Sequence, residues 1–255
     1  MAKKMTYTLQ EAMVKRLLGY LVCVALLLPV TSFAASLDEA KAAVDAGKFA
    51  QAAAMYRELA AAGDAKAQYN LGLMYARGDG VQENPQEAVK WYRMSAEQGF
   101  VEAQYALGVI YFSRDGGVAM DYDEAIKWYR KAAEQGHVRS QLNLGIVYLR
   151  GDVVSQDIPQ ALKWFGLAAE QGDSDAQFNL GNMYLEGEGV PASMVNGYMW
   201  IWLAAENPQD AHGRSGKRKK ILMYLEAKMT PEQLAEAKAL AQTCQAQHYR
   251  SCKLA

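Results

Sequence analysis

The sequence is poor in the side chains that do chemistry. Its 255 residues include three cysteines and three histidines. The histidines, His137, His212 and His248, stand in no spacing that suits a nucleophile and its base or a zinc site. Carboxylates are scattered through the chain and not gathered at one loop. No lysine-serine or lysine-threonine pair follows the glycine-rich loops, which excludes a phosphate-cradling loop. Charge of either sign is also lacking in excess, with 27 basic against 28 acidic residues. The electrostatic footprint of a nucleic-acid binder is therefore absent. The apolar run Leu17–Val30 has 14 residues, short of the roughly 20 that span a bilayer. These absences predict a chain without catalytic residues, cofactor or metal.

That apolar run follows Lys15-Arg16 and precedes Ser32-Phe33-Ala34. A charged start, a short apolar middle and small residues at the two positions a signal peptidase reads form a secretory leader, with cleavage expected after Ala34. The more compact start at Met13 suits such a leader better than Met1. Val22 before Cys23 does not fit a lipidation site. Removing residues 1–34 takes Lys3, Lys4, Lys15, Arg16 and Glu11 from a chain of net charge −1, leaving −4. Only Cys244 and Cys252 survive cleavage, and export to an oxidising compartment favours their pairing. Eight residues of unbroken helix would hold them about 12 Å apart, too far to bridge. The pairing therefore requires a helix that ends near His248-Tyr249. Metal binding by Cys244, His248 and Cys252 is the rival reading, and it lacks a fourth ligand.

What the sequence does contain is a cassette repeated four times. Leu71-Gly72, Leu107-Gly108, Leu144-Gly145 and Leu180-Gly181 are separated by 36, 37 and 36 residues. Each is followed by Tyr75, Tyr111, Tyr148 or Tyr184, then by Trp91, Trp128, Trp164 or Trp200. A constant period in this range is the signature of stacked helix pairs. Asn84, Asp121, Asp157 and Ser193 are strong N-cap residues, placing the starts of the second helices at Pro85, Tyr122, Ile158 and Met194. Glu87, Glu124 and Gln160, three residues on, complete capping boxes, and Asn196 gives a weaker version. Gly99, Gly136 and Gly172 are expected to stop these helices. The mid-helix Gly72, Gly108, Gly145 and Gly181 each cost about 1 kcal/mol relative to alanine. Close approach of a facing helix at Ala96, Ala133, Ala169 and Ala205 would explain them. The recurring tryptophans read as core and not as carbohydrate platforms.

The motif Ala67…Leu71-Gly72…Tyr75, Gly78-Asp79-Gly80-Val81, Ala88…Trp91-Tyr92…Ser95-Ala96…Gly99 resembles the Sel-one-like repeat, a relative of the tetratricopeptide repeat. The resemblance covers residues 64–208. Residues 35–63 resemble a divergent hairpin, with Met55-Tyr56 and Gly63 in step with Trp91-Tyr92 and Gly99. Residues 209–255 are expected to cap the stack. Two departures are an extra residue near Asp115 and Val153 in place of Gly80. The resemblance implies an all-α, right-handed solenoid of antiparallel helix pairs, and adaptor or scaffold roles in bacterial envelopes. One secreted branch with a cysteine pair in every repeat has been linked to β-lactam hydrolysis. No repeat here contains cysteine, so that activity does not carry over.

In related repeats the first helix of each pair lines the concave side. The inward positions would be Tyr69, Leu73 and Ala76; Tyr105, Val109 and Phe112; Leu142, Ile146 and Leu149; and Phe178, Asn182 and Leu185. They lie at i, i+4 and i+7, a stripe distinct from the core stripe. Two readings stand: curvature buries both stripes, or the second forms an apolar groove for a helix or extended segment. Asn70, Asn143 and Asn179 beside the stripe read as locally bonded within the stack. Lys217-Arg218-Lys219-Lys220 reads as a solvated segment, although it could also touch anionic lipid or an acidic polymer. The expected function is an exported scaffold that binds an envelope protein or peptide segment through the concave face. The alternatives are a hydrolase acting on cell wall or β-lactams, and a structural part of an envelope assembly such as polysaccharide export or the flagellar motor.

Overall fold

The computed structural model describes residues 36–114, 117–208, 213–249 and 252. The leader with its two candidate starts, the insertion at Asp115 and His212 lie outside the described residues. The twelve helices described are α1 (Leu37–Asp45), α2 (Phe49–Ala61), α3 (Ala65–Arg77), α4 (Pro85–Glu97), α5 (Val101–Phe112) and α6 (Tyr122–Glu134). They continue with α7 (Val138–Arg150), α8 (Ile158–Glu170), α9 (Ser174–Glu186), α10 (Met194–Glu206), α11 (Ser215–Glu226) and α12 (Pro231–Ala246). Each helix packs on its neighbour in sequence from α1 to α11, and α12 folds back onto α10. The result is an all-α solenoid.

The second helices start where their caps predict. The side chains of Asn84, Asp121, Asp157 and Ser193 accept from amides of the first turn of α4, α6, α8 and α10. The reciprocal half of the capping box is replaced by another bond. The backbone N–H groups of Asn84, Asp121, Asp157 and Ser193 donate to the carbonyls of Tyr75, Tyr111, Tyr148 and Tyr184, at 2.8, 3.0, 3.0 and 2.8 Å. With that donor already used, Glu87 pairs with Lys90, and Glu124 pairs with Lys127 and accepts from the Trp128 indole. Only α12 carries the complete box among the described residues, between Thr230 and Gln233.

The mid-helix glycines also face something other than expected. A Cβ at Gly72 would sit 2.7 Å from the Tyr92 ring, and one at Gly145 2.5 Å from the Phe165 ring. Gly108 meets Tyr129 in the same way, and Gly181 meets Ile201 and the backbone of Gly197. The facing residue is thus the one after each tryptophan, not the alanine four residues further on. The glycine makes room for a flat ring laid against the helix, and that ring is buried: Tyr92 is 2% exposed and Phe165 0%. Trp128, Trp164 and Trp200 fill the space beyond and are buried, whereas Trp91 is half-buried. The indole N–H of Trp128 reaches Glu124, while those of Trp91, Trp164 and Trp200 are enclosed without an acceptor.

A polar link joins successive copies. Gln68, Gln104, Gln141 and Gln177 are buried. Their amides donate to the carbonyls of Ala60, Ala96, Ala133 and Ala169, in the last turn of the preceding second helix. Their side-chain oxygens accept from Gln98, Gln135, Gln171 and Asn207 at the far end of the copy. On the outer side, Arg57, Arg93 and Arg130 donate to the hydroxyls of Tyr75, Tyr111 and Tyr148. The series stops at Gly166, where the fourth arginine would stand.

At the C-terminal end the basic run lies on a helix, with Lys217, Lys219 and Lys220 exposed as a solvated segment would have them and Arg218 not. Arg218 is 2% exposed. It donates to the Ala204 carbonyl at 2.9 Å, pairs with Asp175 at 2.5 Å and stacks over the Phe178 ring. Beyond α12, His248 and Tyr249 take left-handed backbone angles (φ 52° and 63°) and turn the chain back. Cys244 and Cys252 are joined by a disulfide with their Cα atoms 5.0 Å apart, and Tyr249 packs on Gly172. The two sulfurs are therefore bonded to one another.

Gly145→Ala should lower stability by about 1–2 kcal/mol. Overpacking against Phe165 outweighs the gain in helix propensity. Urea unfolding followed by circular dichroism measures it, and an unchanged or raised midpoint would refute the ring contact.

Candidate partner-binding face

The first helices α3, α5, α7 and α9 each bury one stripe and leave the adjacent one half open. Ala67, Leu71, Ala103, Leu107, Leu144 and Ala176 are fully buried. One step round the helix, Tyr69, Leu73, Ala76, Tyr105, Phe112, Leu142, Ile146, Leu149, Phe178, Asn182 and Leu185 are half-buried, and Val109 is exposed. Curvature does not bury both stripes completely. The stripe is supported from beneath by the core and reaches solvent on top.

Rings form much of this face. Tyr69 lies 5.7 Å from Tyr92 and 5.3 Å from Phe100. Tyr105 lies 6.0 Å from Tyr129 and 4.5 Å from His137. Phe112 touches Tyr122 and Tyr129. Tilted and edge-on contacts of this kind are the arrangements that aromatic pairs favour. The asparagines act locally where a bond is seen. Asn70 donates to the Lys66 carbonyl at 3.0 Å, and Asn143 bonds with the Tyr129 hydroxyl.

Two clefts open among these helices. One, of about 390 Å³, is lined by Tyr105, Leu142 and Asn143 together with Arg139, Asp173 and Asp175. It joins α5, α7 and α9 and brings two expected binding residues together. The other, of about 250 Å³, lies beside α1 and α3 and includes Asn70, Leu73 and Arg77. The polar members of the first cleft were not expected from the sequence. Arg139 and Asp175 sit at the helix starts, where the repeat pattern leaves residue type free. Asp173 is raised above its usual carboxylate value by burial, opposed by the Ala176 and Asp175 amides that it accepts from. Phe178, also expected on this face, is partly covered by the Arg218 guanidinium.

A model of the Sel1 repeat matches residues 65–100, 101–137, 138–173 and 174–208. The chain belongs to the Sel1 repeat family. Among solved structures it is similar to a Sel1 repeat protein from Oxalobacter formigenes, with 36% identity over 68% of this chain and 49% of that one (TM-score 0.59). It is also similar to c5321, a protective antigen of uropathogenic Escherichia coli strains displaying an SLR fold. There the identity is 31% over 81% of this chain and 52% of that one (TM-score 0.47). The chain spans about half the length of both relatives. No curated protein matches it significantly. Sel1 repeat proteins are helical solenoids that generally serve as protein-interaction scaffolds.

His137 lies under the stripe, packed against Tyr105. Its Nδ1 accepts from the Ser140 amide at 3.2 Å, which fixes a neutral ring. Burial pushes its pKa below the ordinary histidine value, with Arg139 adding and Glu102 opposing. The unfolded chain therefore binds the proton more readily than the fold. Stability should be full above about pH 6.5 and fall as pH drops below it. Thermal unfolding from about pH 7 to about pH 5 should show this loss in the wild type and a smaller one in His137→Asn, which keeps a capping acceptor.

Proposed function

We propose that this Sel1 repeat protein is an exported, non-catalytic scaffold of the cell envelope. It holds a segment of a partner protein along the face formed by α3, α5, α7 and α9. The observation that carries this reading is the half-open stripe of rings and aliphatic side chains, which runs through consecutive copies and borders a polar-edged cleft between α5, α7 and α9. Tyr69, Leu73, Tyr105, Val109, Phe112, Leu142 and Ile146 supply apolar contact along that face, with Phe178 and Asn182 at its partly covered end. Arg139, at the edge of that cleft, offers donors to a peptide carbonyl or to a carboxylate. A long shallow surface of this kind fits an extended or helical segment better than a small molecule.

Export is supported by the leader pattern of residues 1–34 and by the cysteine pair. A disulfide closing so short a loop contributes about 2.5 kcal/mol in the chain-entropy picture, and only an oxidising compartment sustains it. Mass analysis of protein recovered from the envelope should find the chain beginning after Ala34 and Cys244 joined to Cys252. Two free thiols would remove the support from the cysteines.

Docking is tested by placing a photo-crosslinking residue at Val109 and, as control, at Lys127 on the second helix α6. A discrete adduct should form in the native envelope from position 109 and not from 127. Tyr105→Glu and Phe112→Glu should each reduce that adduct at least about tenfold, as expected for hot-spot losses, with helicity unchanged. Capture that survives both substitutions would place the docking surface elsewhere.

A further inference from the structure

The helix α11 has two sides with different roles. Its inner side carries Arg218, Leu222 and Leu225 into the cap. Its outer side carries Lys217, Lys220, Met223 and Tyr224, with Lys228 just beyond its end. Met223 is 70% exposed and Tyr224 57%, well above the other exposed large apolar residues, which reach 40%. The spacing 217, 220, 224 places the lysines and the ring on successive turns of one face.

Charge here is unbalanced. The nearby carboxylates are engaged on other sides: Asp175 with Arg214 and Arg218, Glu206 with Lys219, and Glu226 with Lys238 and the Tyr198 hydroxyl. Lys217, Lys220 and Lys228 have no carboxylate partner among the described residues. The Lys228 ammonium instead lies over the Tyr224 ring, 4.3 Å from its centre. A local cluster of cations around two protruding apolar side chains thus stands on a chain whose overall charge is −1.

We propose that this outer face of α11 docks on an anionic lipid surface. Protruding side chains need a matching pocket on a protein, but a fluid bilayer accepts them without one. Tyrosine suits the boundary between acyl chains and headgroups, and lysine stems extend to keep their ammonium groups among the phosphates. The contact is peripheral, and no described helix is long and apolar enough to cross a membrane.

The test uses the full chain, vesicles of phosphatidylcholine, and vesicles of phosphatidylcholine with phosphatidylglycerol. Sedimentation gives affinity, and hydrogen exchange locates the contact. Amides of residues 217–228 should gain protection with the anionic vesicles only, and the gain should fade in high salt. Because protection is read at these residues, insertion of the apolar run Leu17–Val30 is scored separately. Lys217→Glu with Lys220→Glu should abolish that protection and weaken its lipid dependence about tenfold or more. Met223→Ser with Tyr224→Ser should weaken it several-fold, with circular dichroism unchanged. Protection that is absent in the wild type, or retained by both double variants, overturns the proposal. So does protection by polyglutamate but not by anionic vesicles, which would assign the face to an acidic polymer.

Discussion

A buried side-chain amide joins each copy of the repeat to the next. Gln104 is the pattern: its NH2 reaches the Ala96 carbonyl of the preceding copy across the turn, and its oxygen accepts from Gln135 at the far end of its own copy. Enclosing an amide costs free energy unless its partners are in place. Here they are in place only when two consecutive copies sit at one offset. Apolar faces made of alanine, leucine and flat rings tolerate sliding; an amide between two defined partners does not. The hydrophobic cassette drives the stacking, and the glutamine sets the register.

The glycine-to-ring contact and the tyrosine carbonyl act within that frame. Gly145 lets Phe165 lie flat against α7, which closes one helix pair. The Tyr148 carbonyl then captures the amide of Asp157, so the start of the second helix is tied to the end of the first. Each copy is thus closed internally by backbone and ring, and externally by side-chain amides. The result is a row of rigid first helices whose second apolar stripe is left half open, the property that the proposed docking depends on.

Much of this was legible before the structure. The N-cap series Asn84, Asp121, Asp157 and Ser193 located four helix starts correctly, because caps are local and recur in step. The core stripe followed from spacing, and the turn at His248-Tyr249 from the requirement that Cys244 reach Cys252. The buried glutamines were missed although they recur at one position per copy. Glutamine reads as surface by polarity, and its burial depends on carbonyls and amides from neighbouring copies that no single window contains. The reciprocal capping bonds failed for a similar reason, since a tyrosine carbonyl from the preceding helix had already taken the donor. Arg218 hid inside a run of four cations, and only the position of Asp175, over forty residues earlier, distinguishes it from the lysines around it. The open half-stripe was left between two readings, because exposure depends on how neighbouring helices turn.

Asn207 occupies the place where another long amide would otherwise stand. One methylene shorter than glutamine, it reaches the carbonyl of Gly172 as well as the oxygen of Gln177, and the chain beyond it departs from the cassette. Every earlier join presents the same donors and acceptors, so a genetic duplication of one whole unit would find its bonds waiting. A duplication taking in Asn207 would set the short side chain at an internal seam. Growth of the array by copying is therefore favoured in its interior and checked at this terminus.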